Sequence, residues 1–199
     1  MMSHYYSERP EASHNRQQWT FELVGKTFKF MTDSNVFSKK TVDYGSRVLI
    51  EQFNEAVLPE GEILDVGCGY GPIGLSLATK TGRGVHMVDI NQRAIELAQE
   101  NAERNQVAKT AIYASNIYEK VTKTDFAAVV SNPPIRAGKE VVHAIIEGSH
   151  AHLKTGGTLT IVIQKKQGAP SAQKKMDEIF GNAEIVKKDK GYYIIVSEK

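Results

Sequence analysis

From Trp19 the chain alternates apolar and polar positions. Trp19, Phe21 and Leu23 share one face, Gly25-Lys26 suits a type II′ turn, and Phe28 and Phe30 resume the alternation. The pattern predicts a hairpin in which Leu23 faces Phe28 and Phe21 faces Phe30, with one apolar face to pack on the rest of the chain. Between Thr41 and Val57 the period lengthens, and Val42, Leu49, Phe53 and Ala56 recur at helical spacing until Pro59 and Gly61 stop the run. Short runs of strand type then follow at Ile63–Val66, Gly84–Val88, Thr110–Ala114, Phe126–Val130 and Leu159–Ile163, with helical patterns at Gln92–Arg104 and Val141–Leu153. Such alternation implies βαβ units and a mainly parallel sheet with helices on both faces. At the end, Glu184–Val186 and Tyr192–Val196 flank the polar Lys187–Gly191 and read as an antiparallel hairpin, giving seven strands besides the N-terminal β-hairpin.

Composition changes this picture little. The 199 residues are 41% hydrophobic and 24% charged, which suits one globular α/β domain over residues 19–199, with residues 19–40 as hairpin and entrance segment and residues 1–18 as an irregular arm. No apolar run is long enough to span a bilayer, and the start shows no basic segment followed by an apolar one, so the reading is a cytoplasmic protein without a membrane partner. A single cysteine, Cys68, excludes an internal disulfide framework, and the histidines show no metal-ligand spacing, so no metal is expected. The net charge is only +2, but Lys165-Lys166, Lys174-Lys175, Lys187-Lys188 and Lys190 crowd the last third; they read either as a phosphate-binding patch or as solvated lysines.

The strongest local signal is Leu64-Asp65-Val66-Gly67-Cys68-Gly69-Tyr70-Gly71-Pro72-Ile73-Gly74, a buried strand running through glycines into a helix. Glycines let the backbone turn sharply and approach a ligand with no Cβ in the way. Val88-Asp89 ends the next strand, where a carboxylate can accept both hydroxyls of a ribose. Two ligands use such geometry. A dinucleotide needs Gly-x-Gly-x-x-Gly at the strand end, but counted from Gly67 the third glycine falls on Pro72; Gly69, Gly71 and Gly74 keep the spacing two residues late. S-adenosylmethionine carries no phosphate, and Asp65 suits its cationic amino-acid end, directly or through water. The bland alternative is a tight turn without ligand.

The second signal is Ser131-Asn132-Pro133-Pro134 after the fourth strand of the sheet. In an open parallel sheet this position lies across the cleft from the glycine loop. An aromatic exocyclic amine is a weak nucleophile because its lone pair is delocalised. The side-chain oxygen of Asn132 and the carbonyl of Pro133 can accept its two N–H groups and draw the nitrogen towards tetrahedral geometry, while the prolines hold the backbone rigid. The competing reading is an ordinary Asn-Pro turn.

Leu64–Gly71 resembles the first motif of class I S-adenosylmethionine-dependent methyltransferases, and with it the fold is expected to be Rossmann-like. The resemblance implies a cofactor set of Asp65, Gly67, Cys68, Gly69, Gly71, Asp89, Ile90, Asn116, Ile117 and Asn132, with Asp89 on the ribose and Asn116 on the adenine amino group. Cys68 lies outside the motif used by cysteine-dependent base methyltransferases, so it reads as a packing residue. Asn132-Pro133-Pro134 is similar to the catalytic motif of amino-methyltransferases, although Ile135 stands where an aromatic is usual; Tyr118, Arg136 and Phe37 are the candidates to stack on a base instead. Phe30–Ser46 and Asn132–Lys139 are similar to segments of RsmC-like ribosomal RNA guanine-N2 methyltransferases. That likeness places Phe37, Lys39, Asp43, Gly45 and Ser46 at the entrance and Ile135, Arg136 and Lys139 on the substrate, and implies the small ribosomal subunit or its RNA as partner. Phe37 as core and Asp43 as a helix cap are the plainer readings. Glutamine-N5 or adenine-N6 methylation, a nicotinamide-dependent oxidoreductase and a non-catalytic cofactor-binding module are the alternatives.

Overall fold

A computed structural model describes residues 15–34, 40–134 and 138–199. Most of the predicted arm lies outside them, as do Phe37, Lys39, Ile135 and Arg136. The hairpin consists of β1 (Gln17–Leu23) and β2 (Lys26–Thr32). The main chain continues through α1 (Tyr44–Gln52), β3 (Ile63–Val66), α2 (Pro72–Thr81), β4 (Val85–Asp89), α3 (Gln92–Arg104) and β5 (Thr110–Ala114). It then runs through β6 (Phe126–Ser131), α4 (Lys139–His152), β7 (Leu153–Gln164), α5 (Ala169–Phe180), β8 (Glu184–Asp189) and β9 (Tyr192–Glu198).

Seven strands form one sheet, as expected, in the order β5-β4-β3-β6-β7-β9-β8. β3 to β7 run parallel, and β9 is antiparallel to both β7 and β8. The order reverses between β3 and β6, which puts the switch point where Gly67 and Asn132 leave the sheet. One face packs the hairpin, α1, α2 and α3 around Phe28, Phe30, Leu49, Leu75 and Met87. The other packs α4 and α5 around Phe126, Ile145, Ile146, Ile161 and Met176.

Three elements differ from the sequence reading. The hairpin turns at Val24-Gly25, with φ of 50° and 74°, rather than at Gly25-Lys26. Positive φ at both positions gives a type I′ turn, whose twist matches the strands. The register becomes Phe21 opposite Phe28 and Trp19 opposite Phe30. Slipping by two residues keeps every side chain on its face, so the apolar face still reaches the core. α1 is shorter than Thr41–Val57: Asp43 caps its start, Phe53 turns extended, and Asn54 accepts from the Ala56 N–H to open a separate 3-10 turn at Glu55–Val57. β7 begins six residues before its expected start at Leu159, with an irregularity in its pairing to β6 between Phe126 and Ala128.

α3 holds the hairpin by a device that resembles strand pairing. The Asn101 side chain accepts from Met31 N–H at 2.7 Å and donates to Met31 C=O at 3.0 Å. One turn on, Asn105 repeats this with Lys29 at 2.8 and 2.9 Å. The two amides pair the outward backbone groups of Lys29 and Met31, which would otherwise offer a template for another strand. Asn101 also donates to Tyr70 C=O at 2.9 Å, so the same residue fixes the glycine loop.

Candidate active site at the carboxyl edge of the sheet

The glycine loop leaves β3 and folds back on β4. Gly67 and Cys68 N–H both donate to Val88 C=O, at 2.8 and 3.0 Å, and Gly71 N–H donates to Cys68 C=O at 3.0 Å. Gly67, Gly69 and Gly71 have φ of 75°, 57° and 99°, which other residues adopt only with strain. Their surroundings separate two roles. A Cβ at Gly74 would lie 2.6 Å from Met87 Cγ and one at Gly71 2.9 Å from Met87 Cε, so these two bring helix and strand together. A Cβ at Gly69 would meet nothing within 4 Å, and one at Gly67 only Pro134 Cδ at 4.0 Å. Gly67 and Gly69 therefore border open space.

Asp65 is fully buried in β3. Its Oδ2 accepts from Gly74 N–H at 2.9 Å and so caps α2, whose own cap position is Gly71. Its Oδ1 has no partner. Burial, with the charge of Asp89 adding to it, pushes this carboxyl up to about 7. Asp89 accepts from Gly69 N–H and Asn91 N–H, both at 2.9 Å, one on each oxygen. Burial holds its carboxyl above the ordinary range against these donors. Each oxygen keeps further acceptor capacity, as a ribose diol requires. Ile90, half-buried, follows it, and Asn116 and Ile117 stand at the end of the neighbouring β5. Asn116 engages its amide nitrogen with Glu119 at 2.9 Å, leaving the oxygen as its acceptor. Cys68 is buried and its thiol is pushed well above its usual range by burial, consistent with a packing residue. The open glycine cradle and the bare oxygen of Asp65 fit a ligand with a cationic head and a ribose, as in S-adenosylmethionine.

Across the switch point, Ser131 ties β6 to β3 by donating to Val66 C=O at 2.7 Å. The next residue, Asn132, donates through Nδ2 to Asp43 Oδ2 at 2.9 Å and to Ser46 Oγ at 3.1 Å. Its amide nitrogen is thus engaged by Asp43 and the first turn of α1, which leaves its oxygen as the acceptor end. Sequence reasoning placed Asp43 and Ser46 at the entrance but missed this pairing; Asp43 is also the cap that its plainer reading proposed, accepting from Ser46 N–H at 3.0 Å.

Tyr118 does not stack on a substrate. Its ring lies on His152 at 4.5 Å and its hydroxyl donates to Ile145 C=O at 2.7 Å, which places it in the packing of α4. The lysines divide. Lys175 pairs with Glu147 at 3.0 Å and with Glu178 at 3.6 Å. Lys165 N–H donates to Gly191 C=O at 2.8 Å, so exposed Lys165, Lys166 and Lys190 gather at the carboxyl edge of the sheet. Lys139 opens α4 and is exposed. A cavity of about 500 Å³ lined by Gln99, Glu103, Val107 and Thr110 lies at the start of β5, the opposite edge, away from these groups. Among the described residues no group of His, Cys, Asp or Glu suits a metal ion, and no helix is long and apolar enough to cross a membrane.

The pattern of the methyltransferase small domain matches residues 27–196. The chain belongs to the methyltransferase small domain family. Within this family it is 56% identical over 201 residues to the uncharacterized protein YbxB of Bacillus subtilis, covering both chains in full. It is 31% identical to ribosomal RNA small subunit methyltransferase C of Yersinia pestis over 90% of its own length. It spans about half the length of that relative, 50%. Among solved structures, the Thermus thermophilus 16S rRNA N2 G1207 methyltransferase (RsmC), in complex with AdoMet and guanosine, superposes with a TM-score of 0.84 at 26% identity. The superposition covers 96% of this chain and 52% of that one. The ribosomal protein L11 methylase of Lactobacillus delbrueckii shares the fold, with a TM-score of 0.64 at 21% identity.

Proposed function

We propose that this methyltransferase-family chain uses S-adenosylmethionine to methylate N2 of a guanine in small-subunit ribosomal RNA. The observation that carries the reading is the acceptor pair at the end of β6. Asn132 has its amide nitrogen held by Asp43 and Ser46, which leaves the amide oxygen as its acceptor; Pro134 borders the open side of Gly67, and the Pro133 carbonyl is the second acceptor this reading assigns. Neither is an acid or a base, and an exocyclic amine needs neither, because its methylated cation sheds a proton readily. S-adenosylmethionine, when bound, supplies an electrophilic methyl group. Gly67 and Gly69 leave room for its methionine part, Asp65 meets the ammonium directly or through water, and Asp89 takes the ribose hydroxyls. Asn132 and Pro133 accept the two N–H groups and aim the nitrogen lone pair. The nitrogen gains a bond to the methyl carbon as the sulfur–carbon bond breaks, and the extra proton leaves to water.

Guanine in ribosomal RNA is favoured over other amines by the likeness to small subunit methyltransferase C. Lys165, Lys166 and Lys190 stand on the same sheet edge as Asn132, where RNA phosphates can meet them. The test is methyl transfer from labelled donor to naked ribosomal RNA, isolated small subunits and assembled ribosomes, with the wild type and Asn132→Ala in parallel. Labelling of at least one of these by the wild type alone supports the reading. Labelling of none, with donor bound, refutes it.

A further inference from the structure

An asparagine that acts through its oxygen has a difficulty: its two ends are nearly isosteric, and a flipped amide presents N–H groups to a substrate N–H. The structure contains a device against that flip. Asp43 Oδ2 stands 2.9 Å from Asn132 Nδ2 and Ser46 Oγ stands 3.1 Å from it. An ionised carboxylate only accepts. Turning the amide over would set its oxygen against Asp43 with no proton between them, so one orientation is enforced. The same Oδ2 accepts from Ser46 N–H at 3.0 Å, which fixes the carboxylate to the first turn of α1. That helix is anchored by Val48, Leu49 and Ile50, all buried. Gly45 completes the arrangement, because a Cβ there would lie 2.9 Å from Tyr192 Cε1 and 3.4 Å from Asp43 Oδ2. The segment Asp43-Tyr44-Gly45-Ser46 thus has a purpose beyond capping a helix.

We propose that Asp43, seconded by Ser46, is a positioning residue for methyl transfer, locking the Asn132 amide with its oxygen towards the acceptor nitrogen. The lock also acts electronically. A charge-assisted bond at the amide nitrogen draws the amide towards its zwitterionic resonance form and enriches the oxygen. A richer oxygen holds the substrate N–H more strongly as positive charge grows on that nitrogen, so the benefit falls in the transition state. This role rests on the function proposed above.

Asp43→Ser separates lock from cap, since serine caps helices well but is too short to hold Asn132. Its turnover is expected to fall about 10- to 100-fold, with donor KM and melting temperature near wild type. Asn132→Asp alone faces two carboxylates and is expected to lose activity; adding Asp43→Asn restores a donor–acceptor pair and is expected to recover about tenfold. A capping role predicts no such recovery. The lock is also read without any substrate. In isotope-labelled protein the Asn132 side-chain amide protons are expected downfield and slow to exchange, and Asp43→Ser returns them to ordinary values. Unchanged amide signals in Asp43→Ser overturn the lock, as does wild-type turnover in that variant. A wild type that labels no RNA but shows the shifted signals refutes the RNA reading and leaves the lock standing.

Discussion

Replacing Asp65 by asparagine should strengthen the empty protein and weaken its hold on the methyl donor. The Asp65 carboxyl is fully buried, with Oδ2 on Gly74 N–H and Oδ1 bare, and is pushed from 3.8 up to about 7. The folded chain therefore keeps a proton that the unfolded chain loses near pH 4. Stability falls as pH rises through the window from about 4 to 7 and is flat above it, for this group. A shift of about three units corresponds to about 4 kcal/mol. Asparagine removes that penalty and keeps an oxygen for Gly74, but its NH2 lies where Oδ1 has no partner, which returns about 1–3 kcal/mol. The net expectation at pH 8 is a gain of about 1–3 kcal/mol. A cationic ligand head favours the ionised form, so wild-type donor affinity should fall as pH drops below about 7, and the variant should bind more weakly at pH 8. Urea denaturation of both proteins without donor, from pH 5 to 8, gives a difference curve that isolates this carboxyl. A variant no more stable at pH 8 than at pH 5, relative to wild type, refutes the reasoning.

Other expectations follow from the same geometry. Asn132→Ala should cost about 100-fold in turnover while calorimetry shows donor binding retained; near-normal turnover removes Asn132 from the chemistry. Asn101→Ala removes a fully buried amide that bonds Met31 N–H, Met31 C=O and Tyr70 C=O, the Met31 groups being part-buried. It should lower unfolding stability by about 3–5 kcal/mol in urea, and a loss under about 1 kcal/mol contradicts the hairpin clamp. Lys165→Gln with Lys190→Gln should flatten the dependence of log RNA affinity on log salt by about one to two, with donor affinity unchanged; an unchanged slope shows that these lysines are merely solvated.

Much of the fold was readable because its signals are local. Strand β3, the glycines and Asp89 carry their geometry in residue type, since positive φ and close helix packing admit few alternatives. The hairpin was legible as an apolar face but not in register. Val24 is a poor residue for a left-handed turn position, so its type gave no sign that the turn falls there with Phe21 opposite Phe28. Asn101 and Asn105 drew no reading from the sequence, where they are only polar residues in and just after the helical pattern at Gln92–Arg104, yet both are buried against the β2 backbone. Asp43 and Asn132 lie 89 residues apart and meet only through the sheet switch point, so no spacing rule joins them. Tyr118 was a reasonable stacking candidate by type, and only the packing of α4 removes it.

The central claim is transfer of a methyl group to guanine N2. Its most direct test is digestion to nucleosides, followed by mass spectrometry, of small-subunit RNA incubated with the protein and isotope-labelled S-adenosylmethionine. The account predicts labelled N2-methylguanosine, absent with Asn132→Ala. Label in N6-methyladenosine, in a ring-carbon-methylated base, or only in protein glutamine contradicts it.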